Sequence, residues 1–144
     1  MTEVLVMAPI LRHDAGLCFQ RSEMMPHLVM EYTDALAERV NIDQLVDDLH
    51  QAAIATDCFD PDALKSRAVP CAVWRVGAQA DRGEFVHVEF RLLAGRSDQQ
   101  KQQISDALTG PLRDHAGHVT SLTVEVRDMD TTSYRKWVGP NHAL

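Results

Sequence analysis

The sequence predicts an α+β two-layer sandwich in which a four-stranded mixed sheet carries two helices on one face. Residues 27–32 and 85–92 alternate like strands, and each stretch is followed by helical spacing and then by a further apolar strand. Two βαβ units therefore repeat, over about residues 26–79 and 85–128, although the identity between them is low. A right-handed crossover in each unit places two parallel strands under one helix.

The first unit begins with a strand and a capped helix. In residues 27–32 the side chains alternate between two faces, which is the period of a strand. Asn41 can cap a helix over residues 42–53, where the apolar positions follow a three-four spacing. Residues 68–76 are apolar enough for a long second strand, and Pro70 predicts an edge, a bend or a bulge in it.

The second unit repeats this order. Residues 85–92 alternate as a strand, and Ser97 with Gln100 fits a capping box at the start of a helix. We expect Pro111, with the glycine before it, to end or kink this helix, because proline removes a hydrogen-bond donor and clashes with the preceding turn. Residues 122–126 mark a closing strand.

One face of the predicted sheet has no covering helix. Leu28, Met30, Val86 and Val88 provide more apolar surface than the sheet can leave in water on both sides. We therefore expect the chain to oligomerise through its sheet.

Composition and charge limit the class of protein. The chain has 144 residues, of which 45% are apolar, a size that suits one globular domain. Its formal net charge of -7 argues against nucleic-acid binding and against a basic membrane-surface helix, since both need an extended positive face. No run approaches the ~18 apolar residues of a membrane span. A small anionic ligand would need a local cluster of arginine and lysine.

The cysteines and the first residues of the chain indicate its cellular compartment. Cys18, Cys58 and Cys71 lack C-x-x-C spacing and are odd in number, so they cannot all pair within the chain. Residues 4–11 are apolar but lack the basic start and the cleavage site of a signal peptide. The expected location is therefore the reducing cytoplasm.

Met24-Met25-Pro26 provides a second plausible translation start directly before the first strand. If the chain begins at Met25 and loses that methionine, Pro26 becomes a free secondary amine, which is a rare kind of catalytic base. If it begins at Met1, the proline nitrogen is a tertiary amide that can neither take nor give a proton. We interpret residues 1–24 as a non-native or disordered extension that is irregular and runs past the pocket.

The string from Ala94 to Lys101 lies where a strand ends and a helix begins. Gly95 permits a tight turn, the helix start offers free N–H groups, and Arg96 adds a fork for a carboxylate. The string resembles the Gly-Arg-Ser-Asp-x-Gln-Lys signature of the 4-oxalocrotonate tautomerase family. Taken alone, Arg96 is better interpreted as a solvated loop arginine ahead of an ordinary helix cap, and only its combination with Pro26 and the family resemblance favours a role in the site.

Residues 25–144 show a closer resemblance to one branch of the tautomerase superfamily, the 5-carboxymethyl-2-hydroxymuconate isomerases. Macrophage migration inhibitory factor is related to the same superfamily. The resemblance implies a subunit of two fused βαβ units that assembles as a homotrimer. The blocks that carry it follow in order: Met25-Pro26-His27, Leu64-Lys65-Ser66-Arg67, Phe85-Val86-His87, Ala94-Gly95-Arg96-Ser97 and Asn141-His142-Ala143-Leu144.

The resemblance also implies a reaction, a cofactor-independent proton shift in 5-carboxymethyl-2-hydroxymuconate, a dienol tricarboxylate of homoprotocatechuate catabolism. Pro26 is the implied base, and Arg96 and Arg67 are implied catalytic cations that stabilise negative charge. The partner is a small di- or tricarboxylate. The expected substrate-binding residues are Lys65, His27 and His142.

Second interpretations stay open for several of these residues. Lys65 and Arg67 share one strand face and either reach the pocket or form surface salt bridges. His27 either packs beside the site or points away from it. His142 lies in a C-terminal segment that either covers a neighbouring site or forms an exposed tail. The family's Arg-x-Arg pair begins here with a lysine, which is the poorer bidentate clamp.

The two halves divide the motif. Ten residues after Pro26 comes Leu36, and ten residues before Arg96 comes Val86, so neither half has both the amine and the arginine. We therefore expect one site that is built from both halves, either within a subunit or across a subunit interface. The competing functions are a non-catalytic oligomeric binder of small anions, if Pro26 stays internal, and a superfamily enzyme with another dienol or keto acid substrate.

The other residues of note have structural interpretations. Asp114, His115 and His118 have ligand-like spacing, but a solvated helix end is the better interpretation, so no metal is predicted. Trp74 and Trp137 are interpreted as packing residues.

Overall fold

The structure, a computed structural model, describes residues 25–78 and 83–140. The predicted extension, residues 1–24, and the predicted site residue His142 lie outside the described residues. Within the described ranges, no helix has the length and apolar character needed to cross a membrane. The elements in chain order are β1 (His27–Thr33), a 3-10 helix (Asp34–Glu38), α1 (Ile42–Ala55), a second 3-10 helix (Pro61–Ala63), β2 (Lys65–Cys71), β3 (Phe85–Leu93), α2 (Asp98–Ala116) and β4 (Ser121–Met129).

The four strands form one mixed sheet in the order β2-β1-β3-β4. β1 pairs with β2, and β3 pairs with β4, in parallel, as the two predicted βαβ units require. β1 and β3 pair antiparallel and join the units. The predicted fold class is confirmed. Pro70 lies in β2, an edge strand, which is a position where a sheet tolerates proline.

The second strand is where the predicted bounds are wrong. Instead of covering residues 68–76, β2 begins at Lys65 and ends at Cys71. Pairing with β1 sets its start, because the Lys65 N–H donates to the Pro26 carbonyl at 3.2 Å. Lys65 and Arg67 carry charged side chains on the open face of the sheet, so apolar content does not reveal this half of the strand.

Both helices begin where the capping residues predict. At α1, the Asn41 Oδ1 accepts a hydrogen bond from the Gln44 N–H at 3.1 Å. At α2, the Gln100 N–H donates to the Ser97 Oγ at 3.2 Å. The Ser97 N–H donates to the Gln100 Oε1 at 3.0 Å, which completes the predicted capping box.

Pro111 does not end α2, so the expectation that the helix stops there, one of the two predicted outcomes, is wrong. The helix continues to Ala116, and both Leu112 and Ala116 are buried in the core beyond the proline. Burial of this last apolar turn outweighs the loss of one backbone donor, since tertiary packing supplies most of the stability of a helix in a protein.

The two helices cover one face of the sheet. Leu28, Met30, Val86 and Val88 lie on this covered face and are fully buried in the core of the single chain. The expectation that these four side chains form an apolar assembly surface is therefore wrong. The open face is polar instead, with ion pairs of Glu89 with Arg91 and Arg127 and of Glu125 with Arg127, and a contact of Glu125 with His87.

Leu112→Ala tests whether the turn after Pro111 contributes core packing. Because Leu112 is 1% exposed, we expect a loss of about 2–5 kcal/mol in the free energy of unfolding, measured by urea denaturation. Gln102 is exposed on the same helix, and Gln102→Ala should change that free energy by less than about 0.5 kcal/mol. Equally small effects of both substitutions would contradict a packed helix end.

Candidate active site

The register of the sheet brings the start of β1, the start of β2 and the end of β3 to one end of the sheet. His27 is opposite Lys65 of β2 and opposite Arg91 of β3. Pro26, one residue before β1, is buried, and its carbonyl is held by the Lys65 N–H. The predicted site residues at or near this end are Pro26, His27, Lys65, Arg67 and Arg96.

A cavity of about 510 Å³ lies between this end of the sheet and the segment that follows β4. Lys65, Arg135 and Lys136 are three cationic residues of its lining, and Asp62 is one acidic residue. The excess of positive charge favours an anionic small molecule, because local charges and not the net charge of the chain set the potential of a cavity. The described lining consists of Met25, Asp62, Ala63, Lys65 and residues 134–139.

His27 connects the sheet to the C-terminal segment. Its Nε2 lies 3.1 Å from the Tyr134 hydroxyl oxygen, and its Nδ1 lies 3.3 Å from the Arg67 Nη1. The rings of His27 and Tyr134 meet edge to face with centroids 6.4 Å apart. His27 therefore packs beside the cavity, where it contacts the lining residue Tyr134, and does not point away from it.

The surroundings of His27 favour the neutral form of its ring. Burial lowers the pKa of His27 below its ordinary value of 6.5, and the positive charges of Arg67, Lys65 and Arg91 lower it further. A neutral imidazole has one nitrogen that donates and one that accepts. The positive charge near the cavity therefore comes from lysine and arginine, and His27 contributes a directed hydrogen bond.

Lys65 and Arg67 lie on the open face of β2, as their spacing predicts. The Lys65 Nζ donates to the Ala63 carbonyl at 3.2 Å, and Lys65 and Ala63 both line the cavity. The Arg67 side chain is exposed and contacts His27. Lys65 thus reaches the cavity directly, whereas Arg67 reaches it through the histidine.

Arg96 is placed by a constrained turn between β3 and α2. Gly95 has a φ of +128°, which a residue with a side chain rarely adopts. The Ala94 N–H donates to the Met129 carbonyl at 3.1 Å, and Ser97 caps α2, so the loop is fixed on both sides. Arg96 is partly buried, and its Nε has no hydrogen-bond partner in the described part of the chain. The described cavity lining does not include it.

The C-terminal segment supplies site residues that the sequence did not single out. Tyr134, Arg135 and Lys136 line the cavity, although this segment was expected only to cover a neighbouring site or to form a tail. The sequence feature that could have identified these residues is a tyrosine followed directly by an arginine and a lysine, shortly after the last strand. Trp137 is 89% exposed and also lines the cavity, so its interpretation as a packing residue is wrong. Trp74 is partly buried, and its Nε1 donates to the Gly83 carbonyl at 2.8 Å.

His115, near the end of α2, has a structural contact. His115 Nε2 lies 2.6 Å from the Asp48 Oδ2 of α1, which ties the two helices together. Hydrogen bonds from His115 and then from Gln44 lower the pKa of Asp48. Over residues 25–78 and 83–140, no group of three or more potential ligands could hold a metal ion.

The duplicated βαβ unit, the sheet order and the cation-lined cavity beside Pro26 define a protein of the tautomerase fold class. The sequence profile described as 5-carboxymethyl-2-hydroxymuconate isomerase matches residues 26–137. The chain belongs to the 5-carboxymethyl-2-hydroxymuconate isomerase family and is an isomerase.

Individual relatives agree with this membership. The 5-carboxymethyl-2-hydroxymuconate Delta-isomerase of Escherichia coli is 23% identical over 113 residues, which span 75% of this chain and 90% of that protein. The crystal structure of a 5-carboxymethyl-2-hydroxymuconate isomerase from Deinococcus radiodurans R1 is 28% identical, with a TM-score of 0.74 over 83% of this chain and 93% of its own.

More distant structures share the fold alone. A macrophage migration inhibitory factor-like protein from Entamoeba histolytica is 11% identical, with a TM-score of 0.59 over 78% of this chain and 95% of its own. A fused 4-OT, described as an asymmetric trimer, is 14% identical, with a TM-score of 0.56 over 76% of this chain and 91% of its own. The fold class therefore extends well beyond the isomerase family.

An NMR titration of the histidine ring protons tests the environment of His27. We expect a midpoint below 6.5 for His27. Arg67→Met should raise it, since one positive neighbour is lost, while burial and Lys65 keep it below the ordinary value. Arg113 is exposed on α2, and Arg113→Met should leave the midpoint unchanged.

The same pKa predicts the sign of a stability effect. Because the pKa is lower in the folded chain, the unfolded chain binds the proton more readily, and His27 destabilises the fold as the pH falls below about 6.5. A midpoint at or above the ordinary value would refute both expectations.

Proposed function

We propose that the chain, when it begins at Pro26, isomerises 5-carboxymethyl-2-hydroxymuconate with the Pro26 amine as the base. The observation that carries this proposal is the position of Pro26, buried at the start of β1 and directly after the cavity-lining Met25. Removal of Met25 would leave a secondary amine beside the space that the methionine side chain occupies. The match to the family profile begins at residue 26, which supports the interpretation of residues 1–24 as an extension.

The proposed reaction is a proton shift across a conjugated dienol. The neutral Pro26 amine takes the proton of the 2-hydroxyl group, and the oxygen electron pair forms the carbonyl bond. The displaced π electrons move to carbon, and the protonated amine returns the proton there. Atoms and electrons balance within the substrate, so the proposal needs no cofactor.

The surroundings of Pro26 suit a free amine to this work. An α-amino group titrates near 7.7 to 8.0 in general, and a proline secondary amine is intrinsically more basic. Burial and the cations at the same end of the sheet, Lys65, Arg67 and Arg96, disfavour the protonated amine. A pKa lowered towards the working pH leaves a larger share of the amine neutral, as a base must be.

The same cations are proposed to bind the substrate. Lys65, Arg67 and Arg96 hold carboxylates and stabilise the negative charge that develops on the dienolate oxygen. Arg135 and Lys136 in the cavity lining extend this positive surface. A di- or tricarboxylate therefore suits the cavity despite the net charge of -7 of the whole chain.

We also propose a cellular setting, a cytoplasmic homotrimer that acts in homoprotocatechuate catabolism. The free thiols of Cys58 and Cys71 are consistent with a reducing compartment. The trimer described for a fused relative supports the assembly. Nucleic acid and membrane are not proposed as partners.

A second candidate is a non-catalytic binder of small anions with the same fold. The observation that favours it is the peptide bond between Met25 and Pro26, which leaves no amine at Pro26 in the full chain. A third candidate keeps the Pro26 amine but acts on another small dienol or keto acid. The mass of the natively expressed protein separates the first two, since only a species that starts at Pro26 has the base.

Activity measured on two forms of the chain tests the base. We expect the form that starts at Pro26 to isomerise the dienol, followed by ultraviolet absorbance. The full 144-residue chain should be at least about 100-fold slower, because an amide nitrogen cannot act as a general base.

Two further variants serve as controls. One extra residue before Pro26 should abolish activity as fully as the extension does, whereas Pro26→Ala keeps a primary amine at the start of the chain and should lose much less. Equal activity of the full and trimmed chains would show that the Pro26 amine is not the base.

A further inference from the structure

Three side chains form a hydrogen-bonded row from β2 to the cavity. Arg67 Nη1 contacts one ring nitrogen of His27 at 3.3 Å, and the other ring nitrogen contacts the Tyr134 hydroxyl at 3.1 Å. Tyr134 lines the cavity, and Lys65 lines it from β2. The row therefore ends at the surface that a ligand would touch.

The chemistry of Arg67 fixes the direction of each hydrogen bond. A guanidinium has only donors, so the His27 Nδ1 must accept from it and carries no proton. In a neutral ring the proton then lies on Nε2, which donates to the Tyr134 oxygen. A histidine with the opposite tautomer would turn a donor towards Arg67 and lose that contact.

The Tyr134 hydroxyl keeps its own proton in this arrangement. The Tyr134 oxygen accepts from His27, so its own O–H is not used in this contact and is available as a donor. We propose that Tyr134 donates this hydrogen bond to an oxygen of the anion in the cavity, and that His27 and Arg67 are positioning residues that hold the hydroxyl in the donating state. This proposal deepens the proposed function and rests on its site.

The class of oxygen follows from the rest of the lining. Lys65, Arg135 and Lys136 supply positive charge for carboxylates. A phenol adds a short, directed and neutral donor, which suits an oxygen whose negative charge grows during reaction, such as the dienolate oxygen. Tyr134 would then affect the rate of the chemical step as well as binding.

Binding of cis,cis-muconate to the full chain, measured by calorimetry, tests the donor without any need for the Pro26 amine. Tyr134→Phe should weaken binding about tenfold or more, since a hydrogen bond to a charged group is lost. The chain has two tyrosines, and Tyr32 is buried on the covered face of the sheet. Tyr32→Phe is thus a matched control that should bind muconate like the unaltered chain, with folding of each variant checked by circular dichroism.

A pair of substitutions tests the positioning role of His27. His27→Gln keeps an amide N–H that can donate to the Tyr134 hydroxyl, whereas His27→Leu cannot donate. We expect His27→Leu to weaken muconate binding severalfold and His27→Gln to restore most of it. A purely steric role for the ring predicts the same loss in both variants and would overturn this part of the proposal.

The tautomer itself can be observed in the unaltered chain. Long-range proton–nitrogen NMR of the histidine rings should show His27 with the proton on Nε2, the signal being identified by its absence in His27→Gln.

A proton on Nδ1, undetectable muconate binding, or unchanged binding in Tyr134→Phe would overturn the proposal. Loss of isomerase activity in the form that starts at Pro26, with muconate binding intact, would instead reject the proposed function alone.

Activity gives the last readout for Tyr134. In the form that starts at Pro26, Tyr134→Phe should lower kcat as well as kcat/KM, because the donor acts on charge that develops in the transition state. A rise in KM with kcat unchanged would limit Tyr134 to ground-state binding and would overturn its role at the dienolate oxygen.

Discussion

The site depends on the antiparallel pairing of β1 with β3. Within one βαβ unit the two strands are parallel, so the start of β1 meets only the start of β2. Antiparallel pairing of the units adds the end of β3, with His27 opposite Arg91. Pro26 from the first half and Arg96 from the second can therefore serve one end of one sheet. A single unit of this chain has no equivalent arrangement, since each half lacks one of the two groups.

Charge on the open face is divided so that its positive part lies near the cavity. Arg91 and Arg127 both pair with Glu89, and the hydrogen bond from Arg91 is the main reason why the pKa of Glu89 is lowered. Lys65 and Arg67 at the start of β2 instead contact a backbone carbonyl and a neutral imidazole. Because neither of these contacts neutralises charge, the positive potential persists where an anion would bind.

Local signals in the sequence predict most of the fold and part of the site. Strand alternation and the caps at Asn41 and Ser97 depend on neighbouring residues, and the structure contains them as predicted. The start of β2 and the continuation of α2 past Pro111 depend on pairing and packing with distant elements, which no local pattern contains. The role of Tyr134 could not be predicted for the same reason, because Tyr134 joins the site through a contact with His27, 107 positions earlier in the chain.

The fold and the proposed chemistry place different demands on the residue before β1. The strand needs only the Pro26 carbonyl, which accepts the Lys65 N–H, and the core begins with Leu28 on the covered face. Neither contact involves the Pro26 nitrogen, so the pairing of β1 with β2 does not depend on whether that nitrogen is an amide or an amine. The proposed base, in contrast, needs the nitrogen alone. A binder and an isomerase can therefore share this sheet and differ at the peptide bond before Pro26, so proton chemistry at that nitrogen is what distinguishes them.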